Sequence, residues 1–190
     1  SMPDQATVRR ALQRCEFVVL QEAQQDTSTA RYADLLLPAT TWGEKSGTVT
    51  NSERRISRVR AALPPMGEAR HDWAIAVDVA RRIEALLPSR RVAERAGQTL
   101  FPYTDAEGIW NEHRESTRGR DLDITGLSWT ALDTPQQWPC AAGASAGASA
   151  GTARLYTDHR FATPDGRARL VAPAWRPVAD ARDARFPIAL

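Results

Sequence analysis

Four polar side chains of this sequence could together bind a nucleotide. Gln21 and Glu22 follow a short apolar run, Lys45 lies between two glycines, and Asp72 begins a long amphipathic stretch. A carboxylate at the carboxyl end of a strand is well placed to accept hydrogen bonds from a ribose diol. A lysine offers a mobile positive charge to a phosphate. An aspartate can accept hydrogen bonds from both N1–H and the amino group of guanine.

Each of these residues also has an ordinary structural interpretation. Glu22 could be a solvated loop carboxylate, and Asp72 could simply cap a helix. Lys45 could be a surface lysine, but this is less attractive because it is the only lysine in a chain whose other basic residues are all arginines. A helix cap and a ligand contact can coexist at Asp72.

No catalytic residue and no metal site are predicted from the sequence. The two cysteines, Cys15 and Cys140, are far apart, and the three histidines form no paired ligand motif. His71 precedes Asp72, but adjacent residues rarely face each other, so an acid–base dyad is not favoured. Neither a phosphate-binding glycine loop nor a nucleophile elbow occurs. The sequence therefore predicts binding residues without a nucleophile or its base.

Composition indicates a globular chain and excludes two classes of partner. Of the 190 residues, 42% are hydrophobic and 25% charged, and the formal net charge is +2. The 23 acidic residues nearly balance the basic ones, which argues against nucleic acid as a partner. No apolar run reaches the ~18 residues of a membrane span, so no membrane partner is expected. The first residues do not resemble a secretion signal, and reduced cysteines suit the cytoplasm, so a cytoplasmic location is expected.

Short helices that alternate with short apolar runs predict an α/β fold. The predicted order is helix, strand, helix and strand, over residues 6–14, 17–20, 28–33 and 35–37. Asp4 can cap the first helix, and the continuous apolar runs are typical of buried parallel strands. This order predicts a Rossmann-like parallel sheet with flanking helices. The polar segment 39–53 is predicted as a long loop beyond the second strand, where such folds place ligands.

The rest of the chain is predicted as a less regular connector with short strands. Its clearest element is a helix from Asp72 to Leu87 with a wide apolar stripe. Small residues at 141–151 indicate a flexible insertion. The further predicted elements are an extended segment at 56–61 with a solvated, salt-bridged face of arginines, a helix from a capping box at 104–107 to Ser116, a short helix at 128–132, and strands at 153–161 and 168–171. The aromatic residues Trp42, Trp73 and Trp110 are predicted to lie in the core or an interface.

The order and spacing of several motifs resemble one protein family. They lie at 33–39 (Ala-Asp-Leu-Leu-Leu-Pro-Ala), at 42–55 (Trp-Gly-Glu-Lys-x-Gly-Thr-Val-Thr-Asn-Ser-Glu-Arg-Arg) and at 65–73, and further similarity continues at 123–128, 137–139 and 161–169. The sequence resembles the molybdopterin oxidoreductases that carry bis-molybdopterin guanine dinucleotide, the dimethyl sulfoxide reductase type. Within this family it is most similar to the catalytic subunit of assimilatory nitrate reductases.

The resemblance implies a cofactor site and a function for a longer polypeptide. By position, the dinucleotide contacts of the family fall on Gln21, Glu22, Lys45 and Asp72, where Glu22 replaces the aspartate of some relatives. The whole enzyme would reduce nitrate to nitrite at molybdenum. Its 4Fe–4S cluster and metal ligands would lie outside this chain, and an electron-donor protein or domain would supply electrons. The chain would then be an internal fragment that is inactive alone, and no cofactor is expected to be found bound to it.

The resemblance also suggests how the chain is divided, and it leaves alternatives open. Residues 3–100 would form the α/β dinucleotide-binding region and 101–140 a helical connector. The insertion at 141–151 would follow, and 152–190 would lead into a C-terminal β-rich domain. The same domain of a formate dehydrogenase or another molybdopterin oxidoreductase remains an alternative. So does a stand-alone nucleotide-binding module without redox chemistry.

Overall fold

A computed structural model of the protein describes residue 2 and residues 4–87, 98–143, 151–177 and 181–188. In these parts of the chain the helices are α1 (Gln5–Arg14), α2 (Asp72–Leu86) and α3 (Ala106–Glu115). The strands are β1 (Val19–Glu22), β2 (Leu35–Pro38), β3 (Gly47–Thr50), β4 (Arg55–Val59) and β5 (Gln136–Gln137). Short 3₁₀ helices lie at Ala30–Tyr32, Trp42–Glu44 and Ala131–Asp133.

The N-terminal elements confirm the predicted first helix and the two strands, whereas the helix predicted at 28–33 is only the 3₁₀ helix Ala30–Tyr32. The Asp4 carboxylate caps α1 by accepting a hydrogen bond from the Thr7 amide at 3.1 Å. β1 and β2 are parallel, with Gln21 opposite Leu37 at their carboxyl ends. Helices combined with a parallel and an antiparallel sheet confirm the α/β class.

The prediction that these two strands are buried is wrong. Val19 of β1 and Leu35 of β2 are 50% and 43% exposed, and neither strand contains a fully buried residue. A parallel strand is buried only when other elements cover both faces of its sheet. Among the described residues this sheet has only two strands, and residues of both strands remain exposed. Apolar character therefore marks where the strands form and does not report how deeply they are covered.

A second sheet corrects the prediction of a continuous loop at 39–53. β3 lies inside that segment and pairs antiparallel with β4, and β4 in turn pairs with β5. The β-branched residues at 48–50 favour extended backbone. The Asn51 side chain closes the hairpin by accepting hydrogen bonds from the amides of Glu53 and Arg55, at 3.0 and 2.9 Å. The extended segment predicted at 56–61 is confirmed as β4, which begins one residue earlier and ends at Val59.

The long helix is confirmed, but its apolar stripe is only partly covered. α2 begins at Asp72 as predicted and ends at Leu86, with Leu87 at the C-cap. Ile75 is buried, whereas Val79 and Ile83 on the predicted stripe are exposed. The helix therefore owes its position to the packing of its first turns more than to a complete apolar face.

The start of α3 differs from the predicted capping box by one residue. Asp105, not Thr104, is the N-cap, and its carboxylate accepts a hydrogen bond from the Gly108 amide at 2.8 Å. Trp110 of this helix is buried, as predicted.

The hydrophobic core lies against the antiparallel sheet. Its buried members come from β4, α3 and the segment that follows α3: Ile56, Trp110, Ile124, Leu127, Trp129, Leu132 and Cys140. The Trp110 indole N–H donates a hydrogen bond to the Leu127 carbonyl at 3.0 Å, which ties α3 to that segment. Arg58 is ion-paired with Asp133, which agrees with the predicted salt-bridged face of β4. It also lies over the Trp129 ring at 4.6 Å, so this face is packed as well as solvated.

The predicted strands at 153–161 and 168–171 are wrong. The structure has mostly bends and turns at 153–161 and irregular backbone at 168–171, and the turn at Pro164–Gly166 between them closes with hydrogen bonds from the Gly166 amide to the Thr163 carbonyl and from the Phe161 amide to the Gly166 carbonyl. Apolar residues alone do not form strands without a neighbouring edge to pair with. Residues 144–150 of the predicted flexible insertion lie outside the described residues. Within the described parts of the chain, no helix is long and apolar enough to cross a membrane.

Candidate functional site

Three segments of the chain meet at the carboxyl edge of the parallel pair. β1 ends at Glu22, and its carbonyl accepts a hydrogen bond from the Ala39 amide, just after β2, at 3.1 Å. Ala39 also forms a parallel bridge with Arg70, two residues before α2. The Thr40 amide donates a hydrogen bond to the Arg70 carbonyl at 3.0 Å. These backbone bonds place the end of β1 and the start of α2 side by side.

Asp72 joins two of the other predicted site residues directly. Its Oδ1 accepts a hydrogen bond from Gln21 Nε2 at 2.8 Å, and its Oδ2 accepts one from Lys45 Nζ at 2.7 Å. The Lys45 and Asp72 side chains are 25% and 50% exposed. We call Gln21, Lys45 and Asp72 the edge cluster. It is a solvent-accessible group with one anion, one cation and one amide.

Lys45 is the main cause of the lowered pKa of the Asp72 carboxyl. Its hydrogen bond lowers the pKa of the Asp72 carboxyl below the ordinary value, and Gln21 adds to the effect while desolvation opposes it. Because the folded-state pKa lies below that of the unfolded chain, this interaction stabilises the fold fully above the unfolded-state pKa of ~3.9. Its contribution is lost as the pH falls through the folded-state pKa.

Replacement of Lys45 by methionine is expected to raise the pKa of the Asp72 carboxyl toward the ordinary value. The methionine side chain fills similar space but donates no hydrogen bond and carries no charge. A carbon-13 NMR titration of the Asp72 carboxyl measures this directly. Lys45→Arg serves as the control, since it keeps the charge and should leave the pKa low. An equal pKa in the unchanged chain and in Lys45→Met would contradict the described contact.

A rigid turn fixes the backbone that carries Lys45. The 3₁₀ helix Trp42–Glu44 is closed by a capping box, in which the Thr41 amide donates to the buried Glu44 carboxylate at 2.8 Å and the Thr41 side chain accepts from the Glu44 amide. The Gly43 carbonyl accepts hydrogen bonds from the amides of Ala62 and Leu63 at 2.8 and 3.0 Å. The Lys45 side chain therefore extends from a turn whose backbone is held both by the capping box and by the hydrogen bonds to Ala62 and Leu63.

Trp42 was predicted to lie in the core or an interface, and the structure excludes only the core. Its side chain is exposed, and Lys45 Nζ lies 5.1 Å from the centroid of its ring. The structure thus adds an aromatic ring to the surroundings of the edge cluster. Residue type could not have shown this, because tryptophan is more often buried than exposed.

Glu22 lies next to the edge cluster in the chain but does not join it. Its carboxylate accepts a hydrogen bond from the Ala23 amide at 2.8 Å and a longer one from the Gln24 amide at 3.4 Å. Glu22 is half-buried and its side chain turns toward the loop that follows β1. The structure therefore brings three of the four predicted residues into contact and leaves Glu22 beside them.

His71 and Thr40 form a supporting pair that sequence reasoning missed. Thr40 is buried, and its Oγ1 lies 3.1 Å from His71 Nδ1. The His71 ring stacks on Trp73, with centroids 6.2 Å apart. These contacts hold the residue that precedes Asp72, so His71 supports the start of α2 and does not act as a dyad partner of Asp72. The position of Thr40 immediately after an apolar strand was the signal available in the sequence.

The described residues offer no group of three or more histidine, cysteine, aspartate or glutamate side chains arranged to hold a metal ion. Cys15 is exposed and Cys140 is buried, and both are free thiols. Burial raises the pKa of the Cys140 thiol, with a smaller contribution from Asp123. The edge cluster offers hydrogen-bond donors, acceptors and one charge of each sign, which are groups able to bind a polar ligand.

Comparison with known proteins relates this chain to one family. Residues 1–82 match the model of the family described as molybdopterin oxidoreductase. The whole chain is 38% identical over 192 residues to a nitrate reductase of Synechocystis, of which it covers 25%. It is 39% identical to the assimilatory nitrate reductase catalytic subunit of Bacillus subtilis, where 94% of this chain covers 23% of the relative.

A third relative performs different chemistry by name. The chain is 35% identical over its full length to the alpha subunit of an F420-dependent formate dehydrogenase of Methanocaldococcus jannaschii, of which it covers 25%. The chain thus spans about a quarter of the length of the curated relatives it matches. The match to the molybdopterin oxidoreductase family model, over residues 1–82, includes all four predicted site residues.

Proposed function

We propose that this chain holds the guanine nucleotide end of a molybdopterin guanine dinucleotide, as one part of a molybdenum-dependent nitrate reductase. The observation that carries the proposal is the contact of Gln21 and Lys45 with Asp72 at the carboxyl edge of the parallel strands. Nucleotides bind at this edge in open α/β sheets. Similarity to nitrate reductases over all or nearly all of this chain supports the class of enzyme.

The donors and acceptors of the site suit a guanine nucleotide. We assign Asp72 and Glu22 to guanine and ribose, and Lys45 to phosphate or to polar groups of the pterin. Gln21 adds an amide that can donate or accept. A bound nucleotide would replace the hydrogen bonds that Lys45 and Gln21 now make with Asp72. This exchange costs little, since exposed ion pairs contribute only ~0–1 kcal/mol.

The redox chemistry is assigned to other parts of a longer polypeptide. The chain has two cysteines, fewer than the four that hold a 4Fe–4S cluster, so we place the cluster and the metal ligands outside it. When bound, the cofactor supplies the acceptor for the oxygen atom that nitrate loses on conversion to nitrite. An electron-donor protein or domain delivers the electrons. We place the enzyme in the cytoplasm, which the free thiols of Cys15 and Cys140 support.

A formate dehydrogenase is the second candidate. It is favoured by the 35% identity to the alpha subunit from Methanocaldococcus jannaschii. The edge cluster would have the same task in both enzymes, because both would hold the same nucleotide. The residues around the metal would separate the two activities, and we assign those residues to sequence outside this chain.

Two measurements test the proposed function. Titration of the 190-residue chain with GMP and with AMP is expected to show tighter binding of GMP by about tenfold, the discrimination that one good bidentate contact provides. Equal affinity for the two, or binding of neither, would overturn the nucleotide assignment. The native polypeptide that contains this segment is expected to form nitrite from nitrate with a reduced viologen dye. Formate oxidation instead would favour the second candidate, and a native polypeptide of this length without either activity would favour a stand-alone nucleotide-binding module.

A further inference from the structure

We propose that the Trp42 indole is the stacking platform for the purine base at the edge cluster. This inference rests on the proposed function, since it concerns the same ligand. It adds a residue whose contribution differs in kind from that of Asp72. Trp42 would hold the flat face of the base, whereas Asp72 would recognise its hydrogen-bonding edge.

The exposure of Trp42 is the first observation that supports this role. The side chain is 66% exposed, although its neighbour Glu44 in the same 3₁₀ helix is buried. A large exposed aromatic side chain beside polar groups is typical of a ligand or partner contact. The exposure is not a result of a loose backbone, because the capping box of Thr41 and Glu44 and the bonds to the Gly43 carbonyl fix this turn.

The position of Trp42 beside Lys45 is the second observation. Lys45 Nζ lies 5.1 Å from the ring centroid of Trp42 and 2.7 Å from Asp72 Oδ2. One ammonium group therefore contacts both the aromatic ring and the anion. A cation covers only one face of a ring, and most of the Trp42 side chain remains accessible. A planar base that accepts a hydrogen bond from Lys45, or that donates hydrogen bonds to Asp72, would lie within reach of the indole.

Stacking and edge recognition predict different dependences on the identity of the base. Every base has an aromatic face, so stacking on an indole tolerates any base. Asp72 accepts two hydrogen bonds, which guanine can donate from N1–H and its amino group but adenine cannot. Loss of the Trp42 ring should therefore weaken GMP and AMP by the same factor. Loss of the Asp72 carboxylate should change their ratio.

The test compares Trp42→Leu and Trp42→Phe in the 190-residue chain with GMP, AMP and ribose 5-phosphate as probes. Trp42→Leu is expected to raise the Kd of both nucleotides about tenfold, in keeping with measured base–aromatic stacking. Trp42→Phe should retain most of the affinity because it keeps a ring. The Kd of ribose 5-phosphate, which has no base, should not change. In nitrogen-15 NMR spectra the indole N–H signal of Trp42 should shift on addition of GMP.

Trp175 provides the matched control. It is 85% exposed and lies in the segment 171–177, outside regular structure. Trp175→Leu should leave every Kd unchanged, and its indole signal should not move with GMP. If Trp42→Leu leaves the Kd of GMP unchanged while Lys45→Met and Asp72→Asn alter it, the stacking role is wrong and the proposed function stands. If the unchanged chain binds neither nucleotide, both are wrong.

Discussion

Replacement of Asp72 by asparagine is expected to reverse the base preference of this chain, from GMP to AMP. The carboxylate presents two acceptors, which match the two donors on the edge of guanine. The amide of asparagine presents one acceptor and one donor, which match the amino group and N1 of adenine. The affinity for GMP should fall about 30-fold, since hydrogen bonds to a charged group contribute ~2 kcal/mol.

Calorimetric titration of the unchanged chain and of Asp72→Asn with GMP and AMP, at one pH and one salt concentration, measures this reversal. Asp78→Asn is the matched control, because Asp78 lies on the same helix and forms ion pairs with Arg70 and Arg82 at 3.2 and 3.4 Å. It should leave the ratio of the two affinities unchanged. A ratio that is the same in Asp72→Asn and in the unchanged chain would show that Asp72 does not read the base.

Replacement of Leu127 by alanine is expected to cost the largest amount of stability of any change considered for this chain. Leu127 is fully buried in the core beside Trp110, and its carbonyl accepts the Trp110 indole hydrogen bond. Truncation of a buried leucine side chain loses the favourable free energy of burying its methyl groups and leaves a cavity, which together lower the free energy of unfolding by about 2–5 kcal/mol. Urea unfolding followed by tryptophan fluorescence measures the free energy of unfolding.

Leu170→Ala controls for the removal of the same atoms at the surface. Leu170 is 96% exposed, and its replacement should change the free energy of unfolding by less than about 0.5 kcal/mol. Equal effects of the two replacements would mean that the region around Leu127 is not packed as described. A large effect at Leu127 alone would confirm that the core of this chain lies against the antiparallel sheet.

Local signals predicted the elements near the site well. Asp4 was predicted to cap α1, and the break at Pro38 and the amphipathic stretch from Asp72 set the end of β2 and the start of α2. Such signals act within one turn of helix or one strand, so they can be read without knowing the rest of the fold. Gln21 and Asp72 were grouped as one candidate site, but their contact joins segments 51 residues apart, and no local signal of this kind determines it.

Packing between distant segments was not predictable in the same way. Residues 39–53 were predicted as a loop, whereas β3 forms there because it pairs with β4, which in turn pairs with β5. The segments 153–161 and 168–171 have comparable residues, but the first has mostly bends and turns and the second has irregular backbone in place of a strand. Whether an extended segment becomes a strand depends on a partner edge, which is a property of the whole fold. The exposure of Trp42 has no distinctive local pattern, although Thr41 and Glu44 have the Thr-x-x-Glu spacing that is typical of a capping box.

The most direct test of the edge cluster is a crystal structure of this chain grown with GMP. The account predicts that the guanine edge lies within hydrogen-bonding distance of the Asp72 carboxylate, which is now bonded to Gln21 and Lys45. It also predicts that the base lies against the Trp42 ring and that Lys45 contacts the nucleotide. GMP bound at another surface, with the Lys45–Asp72 and Gln21–Asp72 bonds unchanged, would contradict the central claim.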